Sequence, residues 1–204
     1  MKKNAKVAAG CLLACGWLSA AADPCVTSTL ANYISLGAQG CTLNGDVFAN
    51  FSYRAGASGG AATITADQII VTPFVLVPAA ARLNFSAPWS VVTDQTQESV
   101  IRYTIVPPPG VTTPSQLQLA LGTVSIAGIV GAVAVHESTN VGNFSVFNRC
   151  TEVCQDQTNG SLDFDPVSVV LVTHNIHLSG GTGGASAQRV WRDTRPAVPS
   201  VCRG

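Results

Sequence analysis

Apolar and polar residues alternate in short runs along most of this chain, and turn-forming residues break the runs every few positions. In Ile101-Arg102-Tyr103-Thr104-Ile105 the alternation is strict, the period of a strand with one face on a core and the other in water. No long stretch repeats near 3.6 residues, so the pattern predicts an all-β domain. Strands are expected at 47–53, 63–74, 81–85, 99–106, 116–121, 123–136, 144–148 and 167–178, with a final one at 187–191. One short segment, 24–36, suits a helix. The fold class that follows is an antiparallel β-sandwich, immunoglobulin-like or jelly-roll-like, with two sheets about 10 Å apart and alternate residues inward.

The uncharged segment 119–135 tests this reading, because it resembles a membrane span. It is shorter than the roughly 20 residues a spanning helix needs, and it carries Gly122, Thr123, Ser125, Gly128 and Gly131. A strand bending at glycines accounts for it better. Pro107-Pro108-Pro109-Gly110 and Gly180-Gly181-Thr182-Gly183-Gly184 read as inter-strand loops. The latter is a flexible loop without the helix and Lys-Ser/Thr of a phosphate cradle. Asn-Phe-Ser recurs at Asn50, Asn84 and Asn143, and Asn159 begins a fourth acceptor-type triplet. The expectation is that Phe51, Phe85 and Phe144 are core-facing strand residues with polar neighbours.

The first two dozen residues set the compartment. Lys2, Lys3 and Lys6 precede an apolar run from Val7 to Leu18, and Ala20-Ala21-Ala22 lead into Asp23. A charged start, a short apolar core and an A-x-A site predict a bacterial-type signal peptide at 1–22. The expected organisation is therefore signal peptide 1–22, β-sandwich 23–180, and a final strand with irregular tail at 181–204. Leu12-Leu13-Ala14-Cys15 loosely resembles a lipobox. The alternative to soluble export is thus a lipoprotein anchored through Cys15, disfavoured by Leu13 and by the good A-x-A site downstream. No transmembrane span is expected in the mature chain.

Composition narrows the partners. Only 11% of residues are charged and the formal net charge is zero, so no basic field exists to hold nucleic acid or an anionic membrane. A hydrophobic content of 47% argues against disorder. The neutral surface, rich in hydroxyl and amide groups, suits life outside the cell. Extracellular polysaccharide or envelope proteins are the expected partners.

Beyond the leader the cysteines are Cys25, Cys41, Cys150, Cys154 and Cys202, an odd set for an oxidising compartment. Nearest-neighbour pairing joins Cys25 to Cys41 and Cys150 to Cys154, although order alone does not settle connectivity. Cys150 and Cys154 also have the look of half a zinc site, but no second pair completes four ligands. No metal and no cofactor are expected.

Catalytic groups are sparse. His174 and His177 lie three apart in a strand-like run and would point to opposite faces, as a polar pair near a strand end. His136 and Glu137 are neighbours that also diverge on a strand, and no nucleophile motif accompanies them. As base and partner of a secreted hydrolase they form the weakest reading. It would be removed if the two side chains lie on opposite sheet faces. Asp156, Asp163 and Asp165 lack the pattern of a calcium loop and read as a solvated turn. Trp89 and Trp191 are both able to stack on a sugar ring, though burial is the commoner role in a sandwich. Trp89 is the ligand platform expected of a carbohydrate-binding module, and a buried Trp89 would count against that.

Several segments together are similar to a known group. Tyr33-Ile34-Ser35-Leu36-Gly37, the run from Gly40 to Tyr53, and Leu83 to Ser90 with Gln95 to Tyr103 carry the likeness. So do the Cys150/Cys154 pair and the run from His174 to Gly181. With Cys25 they resemble exported bacterial proteins of the PEP-CTERM-associated type. The resemblance implies a secreted, β-rich, non-enzymatic structural or adhesive protein of the cell surface or exopolysaccharide matrix. It brings no catalytic residue. The Pro-Glu-Pro sorting tail of that group is missing from 189–204.

Overall fold

The computed structural model of the chain describes residues 22–76, 80–108 and 114–196, which fold into two antiparallel sheets packed face to face. The expected leader, Cys15, the turn at Pro109-Gly110 and Cys202 lie outside the described residues. In chain order the strands are β1 (Ser28–Thr29), β2 (Cys41–Leu43), β3 (Asp46–Ser58), β4 (Ile70–Leu76), β5 (Ala80–Val91), β6 (Thr96–Val106) and β7 (Pro114–Leu121). They continue with β8 (Val124–Ile126), β9 (Val130–Thr139), β10 (Gly142–Thr151), β11 (Val153–Gln157), β12 (Asn159–Asp163), β13 (Val170–Ser179) and β14 (Ala185–Pro196). The first sheet runs β1-β4-β5-β14-β7-β12, with β8 also paired to β14, and the second runs β11-β10-β9-β13-β6-β3-β2. This is the antiparallel sandwich expected from the alternation.

The core lies where the inward phases of the two sheets meet. Leu83, Phe85, Ala87 and Trp89 of β5 and Leu117, Leu119 and Leu121 of β7 face Ile101, Tyr103 and Ile105 of β6, Val133 and Val135 of β9, and Ile176 and Leu178 of β13. Phe51 and Phe85 are buried and Phe144 packs partly buried against the core. At one end a short helix, α1 (Leu30–Ser35), buries Leu30 and Tyr33. Its first turn is capped by Thr29, whose Oγ1 accepts from the N–H of Asn32 at 3.3 Å. Both expected disulfides are formed: Cys25–Cys41 ties the helix segment to β2, and Cys150–Cys154 bridges directly opposed positions of β10 and β11.

Four expectations change. The strand expected from residue 63 begins only at Ile70, because Ala66–Gln68 forms a 3-10 turn in which the N–H of Thr65 donates to Oε1 of Gln68 at 2.8 Å. The run expected at 123–136 splits into β8 and β9 around Gly128, whose φ of +87° suits glycine. The glycine loop at 180–184 is clamped: the N–H of Gly180 donates to the carbonyl of Gln95, and the carbonyl of Gly184 accepts from the N–H of Ala127, at 2.9 Å each. Finally, β14 is a central strand hydrogen-bonded to β5, β7 and β8. The sandwich therefore extends past the expected boundary at residue 180, and β14 completes it by filling the gap between β5 and β7.

Candidate functional site

Polar groups collect in two places, one sealed in the core and one open on a sheet face. Inside, four side chains meet between the sheets: Tyr103 on β6, Glu137 on β9, His174 on β13 and Arg192 on β14. The Tyr103 hydroxyl lies 2.9 Å from Nε2 of His174 and accepts from Nη1 of Arg192 at 3.1 Å. Glu137 approaches His174 Nδ1 at 3.2 Å and Arg192 Nε at 3.1 Å. Neither carboxylate approach is aligned as a hydrogen bond, so these two contacts are electrostatic. All four residues are at most 2% exposed.

Burial controls their protonation. It pushes Glu137 up to about 7, against the pull of Arg192, and pushes Tyr103 up to about 12. It also holds His174 well below the usual histidine value, helped by the positive charge of Arg192. Removing one member of a buried charged group leaves another uncompensated, which costs about 3–5 kcal/mol. The cluster has the ingredients of acid–base chemistry, yet no substrate reaches atoms closed between two sheets.

The expected site residues divide sharply. His136 is exposed and Glu137 is buried, so the two lie on opposite faces and do not act as base and partner. His174 is in the core and His177 on the other face, as the strand period requires; His174 is thus a core residue at mid-strand, not part of a strand-end pair. Trp89 is 1% exposed, with its indole N–H donating to Oγ of Ser99 at 3.0 Å. It is a core residue and no ligand platform, because its place in β5 shares the inward phase of Leu83, Phe85 and Ala87.

Of the two described tryptophans, Trp191 is the one that reaches the surface. On β14 the inward positions are Val190 and Arg192, so Trp191 and Asp193 point to the outer face of the first sheet. Register sets their neighbours: Asn84, Trp191, Ala120 and Asn159 form one row across β5, β14, β7 and β12. Arg82, Asp193, Gln118 and Ser161 form the next. Ala120 carries only a methyl group beside the indole, which leaves a recess between Trp191 and Asn159. A depression of about 630 Å³ opens there, lined by Arg82, Gln118, Asn159, Ser161, Asp193 and Trp191 among others. A second, of about 510 Å³, lies on the other side of the half-buried indole, lined by Ser86, Gly122, Thr123, Gln188 and Arg189.

The polar groups of this face are held in place. Arg82 grips the carboxylate of Asp193 with Nε and, at 2.9 Å, with Nη2. Its guanidinium also lies 5.6 Å from the centre of the Trp191 ring, within cation–π range. Gln118 donates to Gln116 at 2.9 Å, and Gln116 donates to Asp163 at 2.7 Å. Such a shallow site, with an aromatic wall and fixed amides and hydroxyls, fits a polar ligand with apolar ring faces. Among the described residues no group of three or more His, Cys, Asp or Glu is placed to hold a metal ion.

Sequence reading singled out Trp191 but not Arg82, Asp193, Gln118 or Asn159. It also missed Tyr103 and Arg192 as members of the core cluster. For the cluster a signal exists: each member sits in the inward phase of an alternating strand, where a polar residue needs a partner. For the outer face none does, since register across four strands is not written in any one of them.

No family model matches the chain, and no curated protein matches it. Among solved structures it is similar to the carbohydrate-binding module TmCBM61 in complex with β-1,4-galactotriose, at 12% identity and a TM-score of 0.33, over 70% of this chain and 88% of that one. It is also similar to the enzymatically active domain of bacteriophage CBA120 tailspike protein 4, at 15% identity and a TM-score of 0.28, over 70% of this chain and 19% of the other. A family two carbohydrate esterase from Cellvibrio japonicus matches at 12% identity and a TM-score of 0.23, over 74% and 37% of the two chains.

Proposed function

We propose that this chain is a non-enzymatic adhesive protein of the bacterial cell surface or exopolysaccharide matrix, and that it holds polysaccharide on the outer face of its first sheet. The observation that carries the reading is the position of Trp191, a half-buried indole between two polar depressions. An indole offers an apolar body to a sugar ring, while fixed amides and hydroxyls beside it exchange hydrogen bonds with sugar hydroxyls. Binding of this kind needs no catalytic group, and the one acid–base cluster described is sealed from solvent. Export through the leader and kinship with the PEP-CTERM-associated proteins belong to the same proposal. Two disulfides are compatible with an oxidising compartment.

The test is affinity electrophoresis in gels cast with a neutral glucan or with alginate, comparing the parent chain, Trp191→Ala and His136→Ala. Retardation of the parent and of His136→Ala is expected in at least one gel, with affinity lowered about tenfold or more in Trp191→Ala. Equal retardation of all three chains, or of none, overturns the assignment.

A further inference from the structure

The two depressions flanking Trp191 differ in charge. On one side Arg82 is neutralised by two hydrogen bonds to the Asp193 carboxylate, and what remains for a ligand is the dipoles of Gln118, Asn159 and Ser161. On the other side Arg189 is exposed, and among the described residues no carboxylate or hydrogen-bond acceptor engages its guanidinium. The residues around it, Ser86, Thr123 and Gln188, are uncharged.

Two features of the backbone place Arg189 there. The register of β14 against β5 shifts between Ala187 and Arg189. Between the paired positions Ala187↔Trp89 and Val190↔Phe85, β14 has one residue fewer than β5, so Ala187 and Val190, an odd number of positions apart, both face the core while Arg189 points outward beside Trp191. In addition, the N–H of Gly122 donates to the carbonyl of Arg189 at 2.8 Å. A Cβ on residue 122 would come within 2.9 Å of Arg189 Cβ and 3.0 Å of the indole. Only glycine there lets the root of the arginine and the ring share one recess. The planar fork of arginine matches a carboxylate in two parallel hydrogen bonds.

We infer that the ligand is a carboxylate-bearing polysaccharide of the uronic-acid type, lying across Trp191 with its carboxylate on Arg189 and an uncharged part of the sugar chain in the Arg82–Asp193 depression. This rests on the reading of Trp191 as the sugar platform. Electrostatic attraction of an exposed pair weakens as salt rises, so affinity for the acidic polymer falls with ionic strength.

The experiment measures binding of alginate, polygalacturonate and hyaluronate, each beside the same polymer with its carboxyls reduced to alcohols. The expected result is that the parent binds at least one acidic polymer about tenfold tighter than its reduced form, and that high salt erodes the advantage. Arg189→Gln, a change at an exposed side chain, removes the advantage and keeps the weaker binding of the reduced polymer; Arg189→Lys retains part of it. Equal binding of acidic and reduced forms, or an undiminished advantage in Arg189→Gln, overturns the inference and leaves the Trp191 reading standing. Binding of none of the six polymers overturns the inference and leaves the Trp191 reading to the neutral-glucan gel, and binding that survives Trp191→Ala overturns both.

Discussion

Glu137 and His174 touch in the core and pull stability in opposite directions with pH. Burial raises Glu137 from 4.5 to about 7, so the folded state holds its proton more tightly than the unfolded chain. Its contribution is full at low pH and is lost as pH rises toward 7. His174 is held well below 6.5, so its contribution is present above 6.5 and is lost as pH falls. Between about 4.5 and 6.5 the two slopes cancel in the parent. Relative to the parent, Glu137→Gln is expected to gain stability as pH rises across that window, by at most about 1.4 kcal/mol per pH unit. His174→Gln is expected to fall with pH over the same range. Urea denaturation at a series of pH values checks this, and parallel profiles for all three chains would count against it. Asp46, raised by burial to about 6, is common to the three and drops out of the comparison. At the surface, Gly122→Ala introduces a methyl against Arg189 and Trp191. It is expected to cost about 1–3 kcal/mol of stability through overpacking and to weaken polysaccharide binding, both readable from melting curves with and without ligand.

Among the elements, the disulfide-closed segments differ in what their covalent bonds do. Cys25–Cys41 spans 16 positions and anchors the helix segment, whereas Cys150–Cys154 spans 4 across a hairpin already zipped by strand pairing. A loop of roughly 15 residues gives about 3 kcal/mol in the chain-entropy model, and a shorter one less. The Cys25→Ala/Cys41→Ala chain is therefore expected to lose more stability in denaturant than Cys150→Ala/Cys154→Ala, and the reverse order would refute the loop argument. Strand existence was legible in the alternation, because inward apolar positions recur at every second residue in β6, β9 and β13. Strand ends were less so: Thr65 and Gln68 turn the chain by local hydrogen bonding, and an apolar count does not see that. The strands β11 and β12 were missed for a related reason. Their polar, exposed residues resemble loop, and pairing to β10 and β7 is what makes them strands.

Across the whole molecule, Arg192 of the first sheet reaches Tyr103 and Glu137 of the second. Arg192→Met alone is expected to cost about 3–5 kcal/mol, because Glu137 is left buried without its cation. Pairing it with Glu137→Leu is expected to recover most of that loss, since Tyr103 and His174 still satisfy one another at 2.9 Å. Equilibrium unfolding of the two single variants and the double variant gives the coupling directly, and strict additivity would show that the pair does not act as a unit. The sequence by itself determined the class of the fold and the inward face of most strands, because these follow from a period of two; it suggested the nearest-neighbour disulfides, and the structure supplied their connectivity. The sequence also marked Trp191 as able to stack on a sugar, but it ranked Trp89 as the platform. Only the tertiary structure buried Trp89, brought Arg192 to Glu137 and set Arg82, Asp193, Gln118 and Asn159 around Trp191. Those neighbours come from strands far apart in the chain, and their meeting depends on sheet order and register, which no local pattern encodes.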